Sequence, residues 1–289
     1  MIHLEKQKIK VDRTRSLSAT FYSSGQEIKG AVLIVPAMGV SQRYYTPLAE
    51  WLALQGYLAC TFDYFGVGLS QAGSLRNTHT TVTDWATLDC SAMIEAISSK
   101  VKGRPVIWLG HSLGGQIFGL TPNREQISLA VTVASGSGYW LENAWSLRLR
   151  AWWLWYIVVP LATRLYGYFP GKRLRKVGNL PKGVIEQWRK WCLHPEYIVG
   201  IEGQEVKKQY SAVNTPIVSF SFADDEFMSK KNIDSLHGFY TDSPKTMHRF
   251  DPENLGSAKI GHFGFFKSKF KHLLWESKLL PALDGVTKF

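Results

Sequence analysis

Pro105-Val-Ile-Trp-Leu-Gly110-His-Ser112-Leu-Gly114-Gly115 is the stretch on which the fold turns. Its first five residues form an unbroken apolar run of strand length. Such a run, rather than an alternation, suits a strand buried on both faces. Gly114-Gly-Gln-Ile-Phe-Gly119 then reads as the start of a small-residue helix. A serine at a tight strand-to-helix turn projects its hydroxyl above the sheet, and glycines two residues to either side relieve crowding there. The helix that follows aims its first amides at developing negative charge. G-x-S-x-G is short enough to arise by chance, so the strand before it and the helix start after it carry the reading.

Working outward, four more apolar runs read as buried strands: Ala31-Val-Leu-Ile-Val-Pro-Ala37, Leu58-Ala-Cys-Thr-Phe-Asp63, Ile127-Ser-Leu-Ala-Val-Thr-Val-Ala134 and Pro216-Ile-Val-Ser-Phe-Ser-Phe222. Helical patterns lie between them. Tyr45 to Gln55 stops at Gly56. Val82 to Lys100 places Trp85, Leu88, Met93, Ile94 and Ile97 at helical spacing and ends in basic residues before Gly103. Alternating strands and helices predict an α/β protein with a doubly wound, mostly parallel sheet. Gln7–Arg13 and Ser18–Ser23 read as an antiparallel entry hairpin. The alternation breaks from Tyr139 to Gln209, a Trp-rich, helical stretch without strand runs, and resumes at Thr215. The predicted organisation is one core, residues 1–138 and 210–289, carrying a helical insertion at 139–209.

The bulk numbers agree with one large domain. At 289 residues, with 45% hydrophobic and 20% charged residues, the chain can bury a sizeable core and carries no signature of disorder. Cys60, Cys90 and Cys192 are odd in number and widely spaced, with no C-x-x-C pair. That argues against a disulfide framework or zinc site and for a reducing compartment. The N-terminal stretch from Met1 is charged and lacks the apolar core of a signal peptide. The longest apolar run, Ala151 to Thr163, contains Pro160 and falls short of the ~20 residues that span a bilayer. A soluble, cytoplasmic protein is expected. The net charge of +11 suits nucleic acid, anionic lipid or an acidic substrate, but no nucleic-acid recognition motif is present, and no nucleic-acid partner is expected.

Serine attacks poorly unless a base removes its proton. His262, in Lys259-Ile-Gly-His262-Phe-Gly-Phe-Phe266, follows a final strand and precedes an amphipathic helix at about Phe265 to Leu280. A loop there hangs over the carboxyl edge of the sheet, where open α/β folds place their sites. His111 is read as packing in the serine turn. His3 and His79 come too early, and His194, His237, His248 and His272 fall within expected helices or strands. The base needs an acid to fix its tautomer and stabilise the imidazolium. Asp224-Asp225 directly follows a strand, and either carboxylate could reach the ring. The oxyanion needs two N–H donors. One is the amide of Leu113, and the other belongs to the turn Pro36-Ala-Met38-Gly39-Val40, with Met38 the choice.

With these residues placed, the chain resembles the α/β-hydrolase superfamily, in particular its serine aminopeptidase, monoglyceride lipase and esterase group. The order Ser112, acid, His262 is that superfamily's order. Asp63-Tyr-Phe-Gly66-Val-Gly68-Leu-Ser70 resembles its D-x-x-G-x-G-x-S turn, and Asp84-Trp85 and Asp89 resemble its following helix. Phe222-Ala-Asp-Asp225 resembles its G-x-x-D acid turn, which favours Asp225 over Asp224, and Gly261-His262-Phe263 resembles its histidine loop. Pro36-Ala37 stands where His-Gly is usual, and Phe222 where Gly is usual; neither change removes a catalytic side chain.

The resemblance implies a serine hydrolase that cleaves a carboxylic ester through an acyl-enzyme on Ser112, with no metal or organic cofactor and an apolar small-molecule substrate. An acyltransferase with the same triad, or a silent binding protein, would carry the same residues. It also implies that the insertion is a cap over the site. That stretch holds Trp140, Trp145, Trp152, Trp153, Trp155, Trp188 and Trp191, and 12 Lys and Arg against 5 Asp and Glu, so +7 of the +11 lies there. Two roles fit: a cap whose aromatics pack on the core and line an acyl pocket, or one that meets anionic lipid headgroups.

Overall fold

The computed structural model of the chain describes residues 1–174, 177–257 and 259–287. Eight strands form one sheet: β1 (His3–Lys10), β2 (Ser16–Ser23), β3 (Gly30–Val35), β4 (Tyr57–Asp63), β5 (Val106–His111), β6 (Ile127–Val133), β9 (Ile217–Phe222) and β10 (Lys245–Phe250). Between β6 and β9 lie β7 (Tyr168–Phe169) and β8 (Leu180–Pro181), which pair only with each other, antiparallel. The sheet order is β1-β2-β4-β3-β5-β6-β9-β10. β2 runs antiparallel to both its neighbours, and every pairing from β4 to β10 is parallel.

The central strands are apolar throughout because both faces of the sheet are covered. Along β3, Ala31, Leu33 and Val35 join one buried cluster, which includes Trp85, Met93 and Trp108. Val32 and Ile34 join the other, with Trp51, Leu109 and Trp275. This is the two-residue period of a strand, read on two cores at once.

Each expected strand run is present. The entry hairpin is also present, although β1 starts at His3 rather than Gln7. The helix expected from Val82 to Lys100 is helical throughout but carries a wider π turn at Trp85–Cys90. The helix after Ser112 is shorter than its glycine-rich start suggested: one turn, Leu113–Gln116, followed by the 3-10 turn Phe118–Leu120. The stretch read as having no strand runs does hold β7 and β8, each too short to leave a pattern. Its helices are Trp145–Trp153, Val159–Tyr166, Lys182–Leu193, Tyr197–Glu202 and Gln204–Ser211. Arg175 and Lys176, two of its basic residues, lie outside the described residues. Among the described residues no helix is long and apolar enough to cross a membrane. The three cysteines are buried and unpaired.

Candidate active site

Parallel strands put all the candidate residues on one edge. Met38 follows β3, Ser112 follows β5, Asp225 follows β9 and His262 follows β10, each beyond the carboxyl end of its strand. That edge is where open α/β sheets concentrate chemistry.

Ser112 is held at φ +50 and ψ −112, a positive-φ conformation rare for a residue with a Cβ. Such strain, of order 1–3 kcal/mol, persists only where the surroundings enforce it. Here the Ser112 amide extends the sheet ladder to the Val133 carbonyl (2.9 Å), while its carbonyl accepts from the amides of Gly115 and Gln116. The glycines make the turn possible. A Cβ on Gly110 would lie 2.5 Å from the Gly114 carbonyl, and one on Gly114 would lie 2.2 Å from the Val35 carbonyl oxygen. The start of the helix therefore packs directly on the end of β3.

That contact packs the start of the Ser112 helix against the chain that leads from β3 into the turn carrying Met38. Ala37 to Val40 form a turn closed by the Val40 amide on the Ala37 carbonyl (3.1 Å), with Gly39 at φ +67 in its third position. Met38 and Leu113 are buried, yet among the described residues the amide of neither has a hydrogen-bond partner. Two N–H groups without a protein acceptor at one edge are free to donate to an arriving anion.

Asp225 meets the imidazole: its Oδ2 lies 2.9 Å, and its Oδ1 3.1 Å, from His262 Nδ1. The Phe227 and Met228 amides donate to Asp225 Oδ1 at 2.8 and 2.9 Å and fix the carboxylate. Asp224 is the other carboxylate that the sequence offered to the ring. Instead it caps the histidine segment, its Oδ2 accepting from the amides of Ile260 (2.8 Å) and Gly261 (2.9 Å). Glu226 Oε2 accepts from the His262 amide at 3.1 Å. The segment itself is a single helical turn, Gly261–Gly264, rather than an open loop.

The structure joins His262 to Asp225 but forms no hydrogen bond between His262 and Ser112. Among the described residues the His262 ring hydrogen-bonds through Nδ1 only, to Asp225. What links the two segments is His111, whose ring centroid lies 5.2 Å from that of His262. Its Nε2 donates to the His262 carbonyl (3.1 Å), and its Nδ1 bonds the Tyr45 hydroxyl (2.9 Å). Burial holds the His111 pKa well below the usual histidine value. Sequence reasoning placed His111 in the turn but missed these bonds, along with those of Asp224 and Glu226 and the one the Tyr44 hydroxyl donates to the Phe263 carbonyl.

The turn after β4 braces the segment that leads from β3 to Met38. Asp63 accepts from the Gln42 amide (2.7 Å) and side chain (3.0 Å) and from the Leu69 amide (2.9 Å). Tyr64 donates to the Pro36 carbonyl (3.0 Å) and stacks on Trp85. The stretch 139–209 reaches the same region: the Gly178 amide donates to the Gly39 carbonyl (3.1 Å), and Tyr197 donates to Gln116 Oε1 (2.8 Å). Among the described residues no cluster of His, Cys, Asp or Glu is arranged to hold a metal ion.

Known proteins place this architecture. A monoglyceride lipase of Saccharomyces cerevisiae is 34% identical over 95 residues, which is 32% of this chain and 29% of that protein. The chain thus spans under a third of the curated relative it matches. A solved soluble variant of the same organism's monoglyceride lipase, in complex with a substrate analog, superposes with a TM-score of 0.65 at 18% identity, covering 99% of this chain and 95% of the other. An esterase of Pyrococcus furiosus gives 0.64 at 13% identity over 99% and 92%. A carboxyl esterase of Bacillus coagulans gives 0.62 at 12% identity over 98% and 99%. At these identities the likeness is one of fold, the α/β-hydrolase fold. The model of the family described as serine aminopeptidase, S33, matches residues 26–183, more than half of the chain and including Met38, Ser112 and Leu113. The chain belongs to that family.

Proposed function

We propose that the protein hydrolyses carboxylic esters through an acyl-enzyme on Ser112. The observation that carries this reading is a strained serine and an aspartate-held imidazole on the sheet edge that also carries two amides, Met38 and Leu113, without a protein acceptor. His262 Nε2 takes the Ser112 proton as Oγ attacks the ester carbonyl carbon. The carbonyl oxygen becomes an oxyanion, and the two amides receive it without reorganising. His262 then protonates the departing alkoxide and the carbon–oxygen ester bond breaks. Water repeats the cycle on the acyl-enzyme. Asp225 keeps the His262 Nδ1 proton in place and stabilises the imidazolium. The Ser112–His262 hydrogen bond forms as substrate binds, since catalytic hydrogen bonds are often loose in free enzymes.

The test is turnover of p-nitrophenyl esters of graded acyl length and of a monoglyceride, the class in the relative's name. Wild type should turn over, and Ser112→Ala should lose roughly 10³-fold or more in kcat. Equal rates would remove Ser112 from the mechanism.

We further read residues 139–209 as a cap that meets lipid. Trp145, Leu149, Trp152, Trp153 and Tyr156 recur at helical spacing, and Trp145 and Leu149 are 82% and 77% exposed. Leu149, Trp152 and Trp153 line a groove of about 380 Å³ together with Arg150, Leu154 and Val158. The Arg148 guanidinium sits over the Trp145 ring, so cation and aromatic share a surface, as in interfacial helices. The protein should co-sediment with anionic vesicles at low salt, and Trp145→Ser with Leu149→Ser should abolish this. Absence of wild-type binding at low salt would refute the lipid reading.

A further inference from the structure

Two buried side chains connect three segments on which the proposed chemistry depends. The Ala37 amide donates to the Tyr45 hydroxyl (2.9 Å), Tyr45 bonds His111 Nδ1 (2.9 Å), and His111 Nε2 bonds the His262 carbonyl (3.1 Å). Both side chains are fully buried. The direction of every bond follows from the two ends. A carbonyl only accepts, so His111 Nε2 carries the proton. Burial keeps His111 neutral, which leaves Nδ1 bare and accepting. Tyr45 must therefore donate to Nδ1, and its oxygen is left to accept from the Ala37 amide. No member has an alternative role, so the chain has one arrangement.

Its three attachments are informative. Ala37 precedes Met38, His111 precedes Ser112, and the far end is His262 itself. Tyr44 makes a parallel tie, donating to the Phe263 carbonyl. On the opposite side Glu226 holds the His262 amide. The His262 peptide is gripped at its N–H by the acid turn and at its C=O by His111. No direct hydrogen bond fixes the distance from Ser112 to His262, so this chain is a route by which that distance is set.

We propose that Tyr45 and His111 are positioning residues that tie the oxyanion turn and the nucleophile turn to the segment carrying His262. The proposal rests on the hydrolytic reading above for its kinetic arm only.

The variants are Tyr45→Phe, His111→Asn, His111→Gln, and Tyr45→Phe combined with His111→Asn. Asn keeps an acceptor near the Nδ1 position, facing Tyr45, and loses the bond to His262. Gln extends far enough to donate to the His262 carbonyl. With p-nitrophenyl butyrate, and sites counted by a fluorophosphonate, Tyr45→Phe and His111→Asn should lower kcat by on the order of ten- to a hundredfold. KM should stay within about twofold, and the double variant should cost no more than the worse single one. His111→Gln should recover part of the loss, and it is the variant to use if the others fold poorly.

The second readout needs no turnover: the far-downfield proton NMR signal of the His262–Asp225 hydrogen bond. It should shift or broaden in Tyr45→Phe and His111→Asn but not in His237→Gln, a buried histidine elsewhere in the core. If no ester is turned over, the hydrolytic reading fails while the NMR arm still decides this one. A wild-type NMR signal and wild-type kcat per titrated site in both single variants would overturn the proposal.

Discussion

Three consecutive carboxylates, Asp224, Asp225 and Glu226, do different things within a few ångströms. Asp225 alone faces the imidazole, while its neighbours hold the amides of Ile260, Gly261 and His262. An Asn at 225 would preserve shape but could present an N–H to Nδ1 and favour the wrong tautomer. Asp225→Asn should lower kcat by roughly 10⁴-fold with the fold retained. An Asn at 224 keeps an acceptor oxygen for the two amides, so Asp224→Asn should lose under about tenfold, on the scale of one neutral hydrogen bond replacing a charge-assisted one. Circular dichroism on both variants and ester turnover would check this, and equal losses would contradict the pairing. The motif around Phe222 made Asp225 legible in advance. The tasks of Asp224 and Glu226 were not, because they depend on which backbone amides from a segment 36 or 37 residues away come within reach. The Tyr45–His111 bond spans 66 residues and leaves no local pattern at all.

At the scale of elements, the strand–turn–helix unit around Ser112 is built on backbone contact. A Cβ at Gly114 would lie 2.2 Å from the Val35 carbonyl oxygen and 3.0 Å from that of Pro36, atoms that cannot move aside as a flexible side chain can. Gly114→Ala must displace the end of β3, and with it the Met38 turn. It should cost about 1–3 kcal/mol from overpacking and should also depress kcat. Gly285→Ala meets nothing within 4 Å, lies in a helix, and should be neutral or up to about 1 kcal/mol stabilising. Urea titration of the two variants checks the contrast. This unit was readable because burial on both faces leaves an unbroken apolar run and the close approach demands glycine. β10, Lys245-Thr-Met-His-Arg-Phe, left no such run because it is the exposed edge of the sheet. Helix at the C-terminal end starts later than its amphipathic pattern implied, since Phe265 and Phe266 are spent in the core before the 3-10 turn at Ser268–Phe270.

At the scale of the whole molecule, two histidines buried in a neutral state couple folding to acid. His237 lies on the helix Lys230–His237 against β6. Its Nδ1 donates to the Ile233 carbonyl (2.7 Å), and its Nε2 accepts from the Thr132 hydroxyl (2.9 Å). Burial pushes its pKa from 6.5 down to about 4. The unfolded chain therefore binds a proton at a pH where the folded chain refuses it. Stability from this residue is fully present above about pH 6.5 and is lost as pH falls toward 4, by roughly 3 kcal/mol over the whole range. His111 works in the same direction. Asp89, paired with Arg15 at 2.7 Å but pushed up to about 6 by burial, works in the opposite one: its folded form holds a proton more readily than the unfolded form, so its contribution falls as pH rises. The wild-type slope alone mixes these groups, and the difference between two proteins separates them. Urea unfolding at pH 7 and pH 4.5 should show wild type losing about 2 kcal/mol more than His237→Gln, which has no proton to take up. Parallel losses in the two proteins would mean that His237 does not stay neutral in the fold.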